Sequence, residues 1–229
     1  MQKEICEQLK TIFKEIIATR KEFDESAATD ITKKNIKELV LAKDSFEKIA
    51  LKVSEVTDKT YVLFGDIKFS DTKWENMPKN LSLILGDANF TDSKIMSLGQ
   101  LRTISRSAYF RDSQITSLGK LQKIGWLASF QNSQVKDLGE LHSIGFTAYF
   151  DNSQVEYLRQ LQSIGGDSVF SFSKVKDLGG LRHIGGKAFF TKSKVISLGQ
   201  LQEILGDVRI DENSKLDFSN IEHGKIIRI

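Results

Sequence analysis

Apolar residues return along most of this chain at a fixed interval of 20 residues, from about Leu98 to Ile204. Two leucines and an isoleucine recur at intervals of three in every repeat, and polar residues fill most of the positions between them. The three columns are Leu98, Leu118, Leu138, Leu158, Leu178 and Leu198, then Leu101, Leu121, Leu141, Leu161, Leu181 and Leu201, and then Ile104, Ile124, Ile144, Ile164, Ile184 and Ile204. A constant short interval is typical of a solenoid, in which each coil packs only on its neighbours.

After each isoleucine the apolar pattern changes to an alternation of period two. Alanine and phenylalanine occupy alternate positions, as in Ala128 and Phe130 or Ala148 and Phe150. This alternation predicts one short strand per coil with alanine and phenylalanine facing inward, and equal coil lengths make these strands parallel and stacked. The leucine and isoleucine columns predict a turn-rich or 3₁₀ return path, whose side chains eclipse at that interval.

Two further columns mark the bends of the coil. A hydroxyl column runs from Ser93 to Ser193, one residue per repeat, just past the predicted strand. We predict that these hydroxyls bond the backbone of the neighbouring coil, because polar groups at a bend need partners. A glycine column precedes the strand, and we predict a corner there at which a Cβ would clash. The corner glycines are Gly125, Gly145, Gly165, Gly166, Gly185, Gly186 and Gly206.

The repeat resembles a leucine-rich repeat over roughly the last two-thirds of the chain. The residues that carry the resemblance are Ala128, Phe130, Ser133, Val135, Leu138, Leu141 and Ile144. Serine stands where the family has its ladder asparagine. The run from Leu178 to Gly186 is also similar to the receptor L-type repeats of bacterial proteins. The resemblance implies protein binding on a curved sheet, and it carries over no catalytic residue.

The first 57 residues lack the repeat and have the pattern of helices. Apolar residues from Ile5 to Ile17 recur at intervals of three and four, and a second such face runs from Ile36 to Val53. We predict an N-terminal α-helical cap over residues 1–57, since the end of a solenoid needs a cover, and about eight coils with a closing C-terminal strand over residues 58–229. A detachable helical domain that recruits another protein is the alternative. The predicted fold class is α+β, a right-handed parallel β-solenoid with a helical cap.

Composition and charge exclude several classes of function. The 33 basic residues are interleaved with 30 acidic ones, and a net charge of +3 does not predict a nucleic-acid surface. Cys6 is the only cysteine, so an internal disulfide is impossible and a reducing compartment is expected. The N-terminus is too polar for a signal peptide, and no apolar run reaches membrane-spanning length. We therefore expect a cytoplasmic protein that does not enter a membrane.

Candidate catalytic and metal-binding residues are few. His142 and His183 lie two coils apart without the spacing of a metal site, and the sequence has neither a Gly-rich phosphate loop nor a nucleophile elbow. Asp137 and Asp177 share one column and would lie about 10 Å apart, a separation that suits an inverting glycosidase. Serine occupies the same column in other coils, so turn formation explains these aspartates better. We expect no enzyme activity, no cofactor and no metal.

The outward face of the predicted strands is the strongest functional candidate. Water-facing positions need no aromatic residue, yet several carry one, and Arg106, Trp126 and Phe146 break the corner glycine column in three successive coils. Leu127 and Phe172 are predicted on the same side. Because tyrosine, tryptophan and arginine dominate interface energetics, we predict that this face binds, and possibly inhibits, another protein. The predicted protein-binding residues are Arg106, Tyr109, Trp126, Phe146, Tyr149 and Phe189.

Three alternatives stay open for this face. The aromatic residues could simply cover neighbouring corners or fill gaps. The bound protein could be a second copy of this chain, which would make the face a self-association surface. A carbohydrate-binding or carbohydrate-active solenoid is the alternative from another class, in which aromatic rings stack on sugars beside an acidic side chain.

Overall fold

The computed structural model describes residues 39–41, 61–72, 74–77 and 81–229. These residues form a parallel β-solenoid of about eight coils, each of roughly 20 residues. Neighbouring strands pair at the same position of successive coils, as Ser143 does with Ser163 and Ala148 with Ser168. The predicted parallel stacking is therefore confirmed, whereas the right-handed sense of the coil stays a prediction.

Strands in the described residues belong to two sheets. Sheet A has ten strands: β1 (Leu39–Leu41), β2 (Tyr61–Phe64), β4 (Leu81–Leu85), β6 (Thr103–Ile104), β8 (Lys123–Ile124), β10 (Ser143–Ile144), β12 (Ser163–Ile164), β14 (His183–Ile184), β16 (Glu203–Ile204) and β18 (Glu222–His223). Sheet B has nine: β3 (Ile67–Lys68), β5 (Ala88–Asn89), β7 (Ala108–Tyr109), β9 (Ala128–Ser129), β11 (Ala148–Tyr149), β13 (Ser168–Val169), β15 (Ala188–Phe189), β17 (Val208–Ile210) and β19 (Ile226–Arg228).

Each regular coil therefore contributes two short strands, where the sequence analysis predicted one. The isoleucine column lies in the strands of sheet A, so its assignment to a 3₁₀ return path was wrong. Backbone groups around these isoleucines pair with the adjacent coil, as when Gly125 N donates to Ile104 O at 2.8 Å. The leucine columns do flank a turn, in which Leu121 N donates to Leu118 O at 3.1 Å. The 3₁₀ segment that the described residues contain is Phe69–Asp71.

The inward side of sheet B is a continuous stack of phenylalanine rings, as the alternation predicted. Ring centroids of successive phenylalanines from Phe90 to Phe190 lie 5.2–5.3 Å apart, with the ring planes nearly parallel. These rings are buried, and so are the leucine and isoleucine columns opposite them, except for the partly buried Leu198. Aromatic pairs add about 0.5–1.5 kcal/mol beyond the burial of their area, so the stack stabilises every contact between coils.

Corner glycines lie where sheet A turns into sheet B, and the predicted steric reason is confirmed. A Cβ built on Gly125, Gly145, Gly165 or Gly185 would overlap the backbone carbonyl oxygen of the equivalent residue in the preceding coil. None of these four glycines has a positive φ, so close approach of the two backbones, rather than an unusual conformation, favours glycine at these four corners. Ser105 and Leu205 hold the same position in two other coils.

The hydroxyl column does not form the predicted ladder. Its buried Oγ atoms have no hydrogen-bond partner among the described residues from Ser93 to Ser173. The backbone at this bend is satisfied locally instead, because each serine amide donates to the phenylalanine carbonyl three residues before it, as Ser133 N does to Phe130 O at 3.0 Å. At the stacking distance of a sheet, about 4.8 Å, the hydroxyls of two stacked serines are too far apart to bond each other.

The first strand corrects part of the predicted helical cap. Residues Leu39–Leu41 form β1, which pairs in parallel with β2 and extends sheet A by one strand beyond sheet B. The helix predicted across Leu39 and Val40 is therefore wrong at those positions, where a run of leucine and valine suits a strand equally well. Within residues 1–57, the structure describes only β1. The remaining predicted helices and the boundary at residue 57 therefore stay predictions. At the other end, the predicted closing strand is present as β19.

Candidate functional site

A row of side chains runs across the outward face of sheet B in strict register. Tyr109 pairs with Ser129, Ser129 with Tyr149, and Tyr149 with Val169. The two tyrosines are half-buried, and Ser129 between them is only 7% exposed. The small residue therefore lies between two large ones, and the tyrosines flank it in the coils on either side.

Phe189 lies farther along the same row. It pairs with Val169 on one side and with Arg209 on the other, and the Arg209 guanidinium carbon lies 5.3 Å from the centre of the phenyl ring. A guanidinium over an aromatic face is weakly attractive at an exposed site, by about 0.5–1 kcal/mol. Val169 separates Phe189 from Tyr149, so Phe189 is the most distant of the six predicted residues.

The corner before sheet B brings the other three predicted residues together. Trp126 N donates to Arg106 O at 3.1 Å and Phe146 N donates to Trp126 O at 3.0 Å, so the three occupy one position in consecutive coils. Trp126 is 55% exposed and Phe146 is 44% exposed, and their ring centroids are 4.9 Å apart at an interplanar angle of 30°. We call this exposed stacked pair the aromatic corner.

The coil that follows makes room for the aromatic corner. A Cβ built on Gly166 would approach the Cδ2 atom of Phe146 to 3.0 Å, which is closer than an ordinary contact. The Phe146 ring thus leans toward the glycine of the next coil. Arg106 points the other way, with its Nε atom 3.5 Å from Asp87 Oδ1 and its Nη1 atom 4.0 Å from Asp66 Oδ1. This ion pair is exposed, so it orients the side chain more than it stabilises the fold.

A column of carboxylates next to the corner was missed by the sequence analysis. In coils with a Gly-Asp corner, the aspartate Oδ1 accepts the backbone amide at the same position of the next coil. The four observed bonds run from Asp87 N to Asp66 at 2.9 Å, Ser107 N to Asp87 at 2.8 Å, Lys187 N to Asp167 at 2.7 Å and Lys225 N to Asp207 at 3.0 Å. The recurring Gly-Asp pair was the available signal. In the three coils of the candidate site, the Gly-Asp pair is replaced by Arg-Ser, Trp-Leu and Phe-Thr.

Phe172, which was predicted on the same side as the outward-facing residues, lies apart from the aromatic corner. It lies in the turn after β13, at the opposite end of the strand from the corner, and is 56% exposed. Its φ of 56° is left-handed, and the equivalent residues of earlier coils are Asp92, Asp112, Asn132 and Asn152, which tolerate that conformation better. Lys192 Nζ lies 5.3 Å from the centre of the Phe172 ring.

The remaining candidates from the sequence have structural roles. Asp137 and Asp177 accept the amides of Gly139 at 3.1 Å and Gly179 at 2.9 Å, which confirms turn formation. His183 Nδ1 lies 2.7 Å from Glu203 Oε2. In the part of the chain that the structure describes, no group of three or more His, Cys, Asp or Glu side chains could hold a metal ion. The same residues include no helix with the length and apolar character of a membrane span.

The pKa values of both partners are shifted in one exposed ion pair. Lys176 Nζ lies 2.6 Å from Glu156 Oε2, and this hydrogen bond together with the lysine charge lowers the pKa of the Glu156 carboxyl. The same contact raises the pKa of Lys176, whose ammonium also lies 5.9 Å from the centre of the Tyr157 ring. These residues lie on the third side of the coil, where Tyr157 bridges to Asp177, and not on the candidate face.

Comparison with known proteins gives no relative: no family model matches the chain, and neither a curated protein nor a solved structure is significantly similar to it. The function is therefore argued from the geometry of the site alone.

Proposed function

We propose that the chain is a non-enzymatic module that binds another protein through the outward face of sheet B and the adjoining corner. The observation that carries the proposal is the exposed, mutually stacked pair Trp126 and Phe146. The two residues occur in successive coils that have Trp-Leu and Phe-Thr where other coils have Gly-Asp. Coils with Gly-Asp fold on the same backbone, so the solenoid itself does not require aromatic residues here.

The composition of the face supports a protein partner. Tryptophan, tyrosine and arginine supply most of the binding energy in protein interfaces, and the face presents Trp126, Tyr109, Tyr149 and Arg106 within three coils. Exposed aromatic residues that cluster on one surface commonly mark an interaction site. Inhibition of the partner is one possible consequence of binding.

The finer description of the fold belongs to this proposal. A right-handed coil and a leucine-rich-repeat type of unit are consistent with the parallel register and the buried leucine columns. The likeness to leucine-rich repeats supports protein binding on a sheet, although each coil here carries two sheet strands. A cytoplasmic location is part of the same proposal.

A sugar ligand is the competing proposal, and two observations weigh against it. Trp126 and Phe146 stack on each other, so each ring has one face less to offer a sugar. The pair also lies on an outer corner between the two sheets, whereas the sugar hypothesis required a groove with acidic and amide groups beside the rings. A protein-binding face needs a broad patch with a charged rim and does not need such a groove.

The test is affinity capture from native lysate with the wild-type chain and with the triple variant Trp126→Ala/Phe146→Ala/Tyr149→Ala. We expect a stoichiometric protein partner with the wild type and its loss with the triple variant, because truncating aromatic anchors commonly costs more than about 2 kcal/mol each.

Phe172→Ala is the matched control, since it removes an equally exposed aromatic ring from the opposite end of the strand. Circular dichroism first establishes that all three proteins are folded. The proposal fails if the triple variant captures the same proteins as the wild type, and glycan-array binding that the triple variant loses would shift the function to sugars.

A further inference from the structure

The carboxylate column follows a simple rule along the whole stack. An aspartate at this position pairs with the amide of the next coil, as Asp66, Asp87, Asp167 and Asp207 do. Where another residue replaces the aspartate, the next amide has no acceptor. Within the described residues, this holds for four amides, those of Leu127, Thr147, Asp167 and Asp207.

Three of these four amides are in consecutive coils at the aromatic corner. Leu127 and Thr147 directly follow Trp126 and Phe146 in the chain, and Asp167 follows the Gly166 toward which Phe146 leans. The coils with Arg-Ser, Trp-Leu and Phe-Thr at the corner, two of which carry the exposed aromatic pair, therefore lack the carboxylates that elsewhere cover the amides. A solvent-facing backbone N–H is a strong donor that favours an ionised acceptor.

The replacing side chains decide which amides a ligand can reach. Leucine has the length and branching of aspartate, so Leu127 fills the place of the carboxylate in front of the Thr147 amide, and Thr147 is 6% exposed. Ser107 and Thr147 are shorter than aspartate and leave more room in front of the Leu127 and Asp167 amides, which belong to half-buried residues. These two amides lie two coils apart, or about 10 Å at the spacing of stacked strands.

We infer that the partner presents acidic side chains to this corner: two carboxylates about 10 Å apart that accept the amides of Leu127 and Asp167. The partner would thereby replace the aspartates that the chain supplies in its other coils. Its apolar atoms between the two carboxylates contact Trp126 and Phe146. This inference rests on the proposed function and specifies the chemistry of the protein partner.

The test uses two capped hexapeptides, Gly-Asp-Leu-Leu-Asp-Gly and its counterpart with asparagine in place of both aspartates. In the polyproline II conformation, which has about three residues per turn and a rise of about 3.1 Å per residue, side chains three apart lie on one face at about 9 Å, which is close to the separation of the two amides. Backbone amide resonances of the ¹⁵N-labelled full chain are followed during titration. We expect the Asp peptide to shift the Leu127 and Asp167 resonances, and the Asn peptide to bind at least about tenfold more weakly, since charged acceptors form the stronger bonds.

The chain supplies its own controls for this titration. The amides of Ser107 and Lys187 are already bonded to Asp87 and Asp167, so their resonances should stay in place. Asp207 has an open amide but glycine in place of the aromatic residues, so it should respond much less than Leu127. Equal shifts with both peptides, or no shift at Leu127 and Asp167, would overturn the inference.

Two substitutions test the geometry. Ser107→Asp supplies a carboxylate to the Leu127 amide, and Thr147→Asp supplies one to the Asp167 amide, so each should abolish the response of its own target amide. Combined, they should weaken the Asp peptide at least about tenfold, through occupancy and like-charge repulsion. Undiminished binding by a folded double variant contradicts the inference, and the peptide pair on the wild type decides the matter if the variants do not fold.

The two proposals fail separately. If lysate capture depends on Trp126 and Phe146 while neither amide responds to the Asp peptide, protein binding stands and the acidic partner is wrong. If both amides respond but the aromatic triple variant still captures the same proteins, the amides bind acidic groups and the proposed protein-binding face is wrong.

Discussion

Ser133 illustrates how a residue type can recur in every coil for a reason other than the obvious one. Its hydroxyl is buried and has no hydrogen-bond partner among the described residues, while its amide is satisfied by Phe130 O at 3.0 Å. A buried hydroxyl without a partner is destabilising relative to an apolar group of similar size. Serine therefore fits the column by its small volume, because a larger side chain would crowd the bend beside the phenylalanine stack.

Ser133→Ala should leave the free energy of unfolding unchanged or raise it by up to about 1 kcal/mol, because it removes an unpaired buried hydroxyl. Ser117→Ala is the matched control, since the Ser117 hydroxyl donates to Asp137 Oδ2 at 3.1 Å and accepts the Gly119 amide at 3.2 Å. The control should lose about 0.5–1.5 kcal/mol. Urea unfolding followed by circular dichroism measures both, and a loss at Ser133 as large as at Ser117 would restore the predicted ladder.

Individual side chains were predictable from the sequence where their direction follows from the period alone. Ala128 and Phe130 face inward because strand positions alternate, and the structure buries both. The bond from Asp167 to the Lys187 amide depends instead on the distance between coils and on the rotation of a side chain at a corner. The recurring Gly-Asp pair indicates a role for the aspartate, but no linear pattern contains either quantity, so the bonding partner of the carboxylate could not be predicted.

At the scale of the elements, the return path contained a strand that the sequence analysis did not find. Strands β8 and β10 are two residues long, and no column of apolar residues lies two positions before or after their isoleucines, so no alternation is visible. Their existence depends on pairing with the coils on either side, as Ile144 pairs with Ile124 and Ile164. A strand of two residues is a property of the stack, and the interval of three between the leucine and isoleucine columns indicated only a turn.

Gly165→Ala should lower the free energy of unfolding by at least about 2 kcal/mol, because a Cβ there overlaps the Gly145 carbonyl oxygen and forces the two coils apart. Gly119→Ala is the control that measures the cost of backbone strain without a steric overlap. Gly119 has a φ of 54° but no atom within 4 Å of a built Cβ, so its substitution should cost only about 1–2 kcal/mol.

Chemical denaturation of the two variants provides the comparison. Equal losses would mean that the corner relaxes without cost and that close backbone approach does not explain the glycine column.

At the scale of the whole molecule, the constant register makes a coil removable. Each coil contacts its two neighbours, and the strands pair at a separation of 20 residues through the middle of the stack. Deleting residues 190–209 joins Phe189 to Ile210, which occupies the same inward position as Phe190. We expect a folded, shorter solenoid whose melting temperature falls by a few degrees, since one contact between coils is lost.

Deleting only residues 190–199 is the contrasting variant. It places the return path directly after the strand and moves apolar residues out of the core columns, so the C-terminal coils should unfold. Circular dichroism and size-exclusion chromatography compare the two proteins. If the deletion of 20 residues is as disruptive as the deletion of 10, the coils are not independent units.

The overall fold was more predictable than the site because the same pattern of residues recurs in every coil. The same position of the repeat holds leucine in successive coils, as at Leu121, Leu141 and Leu161, and this regular recurrence predicts the solenoid. The candidate site consists of departures from that agreement, and a departure at Trp126 or Phe172 looks the same in the sequence. Only the structure separates the corner before the strand from the turn after it.

The glycine that receives Phe146 imposes an order on the evolution of this surface. An aromatic residue at the corner leans toward the next coil, so that coil must keep its glycine, as Gly166 does. Replacing Gly166 with a second large residue would displace the ring already present, unless the two stack as Trp126 and Phe146 do. Substitutions in adjacent coils are thus epistatic, and the fitness of a change at one coil depends on which change came first at its neighbour.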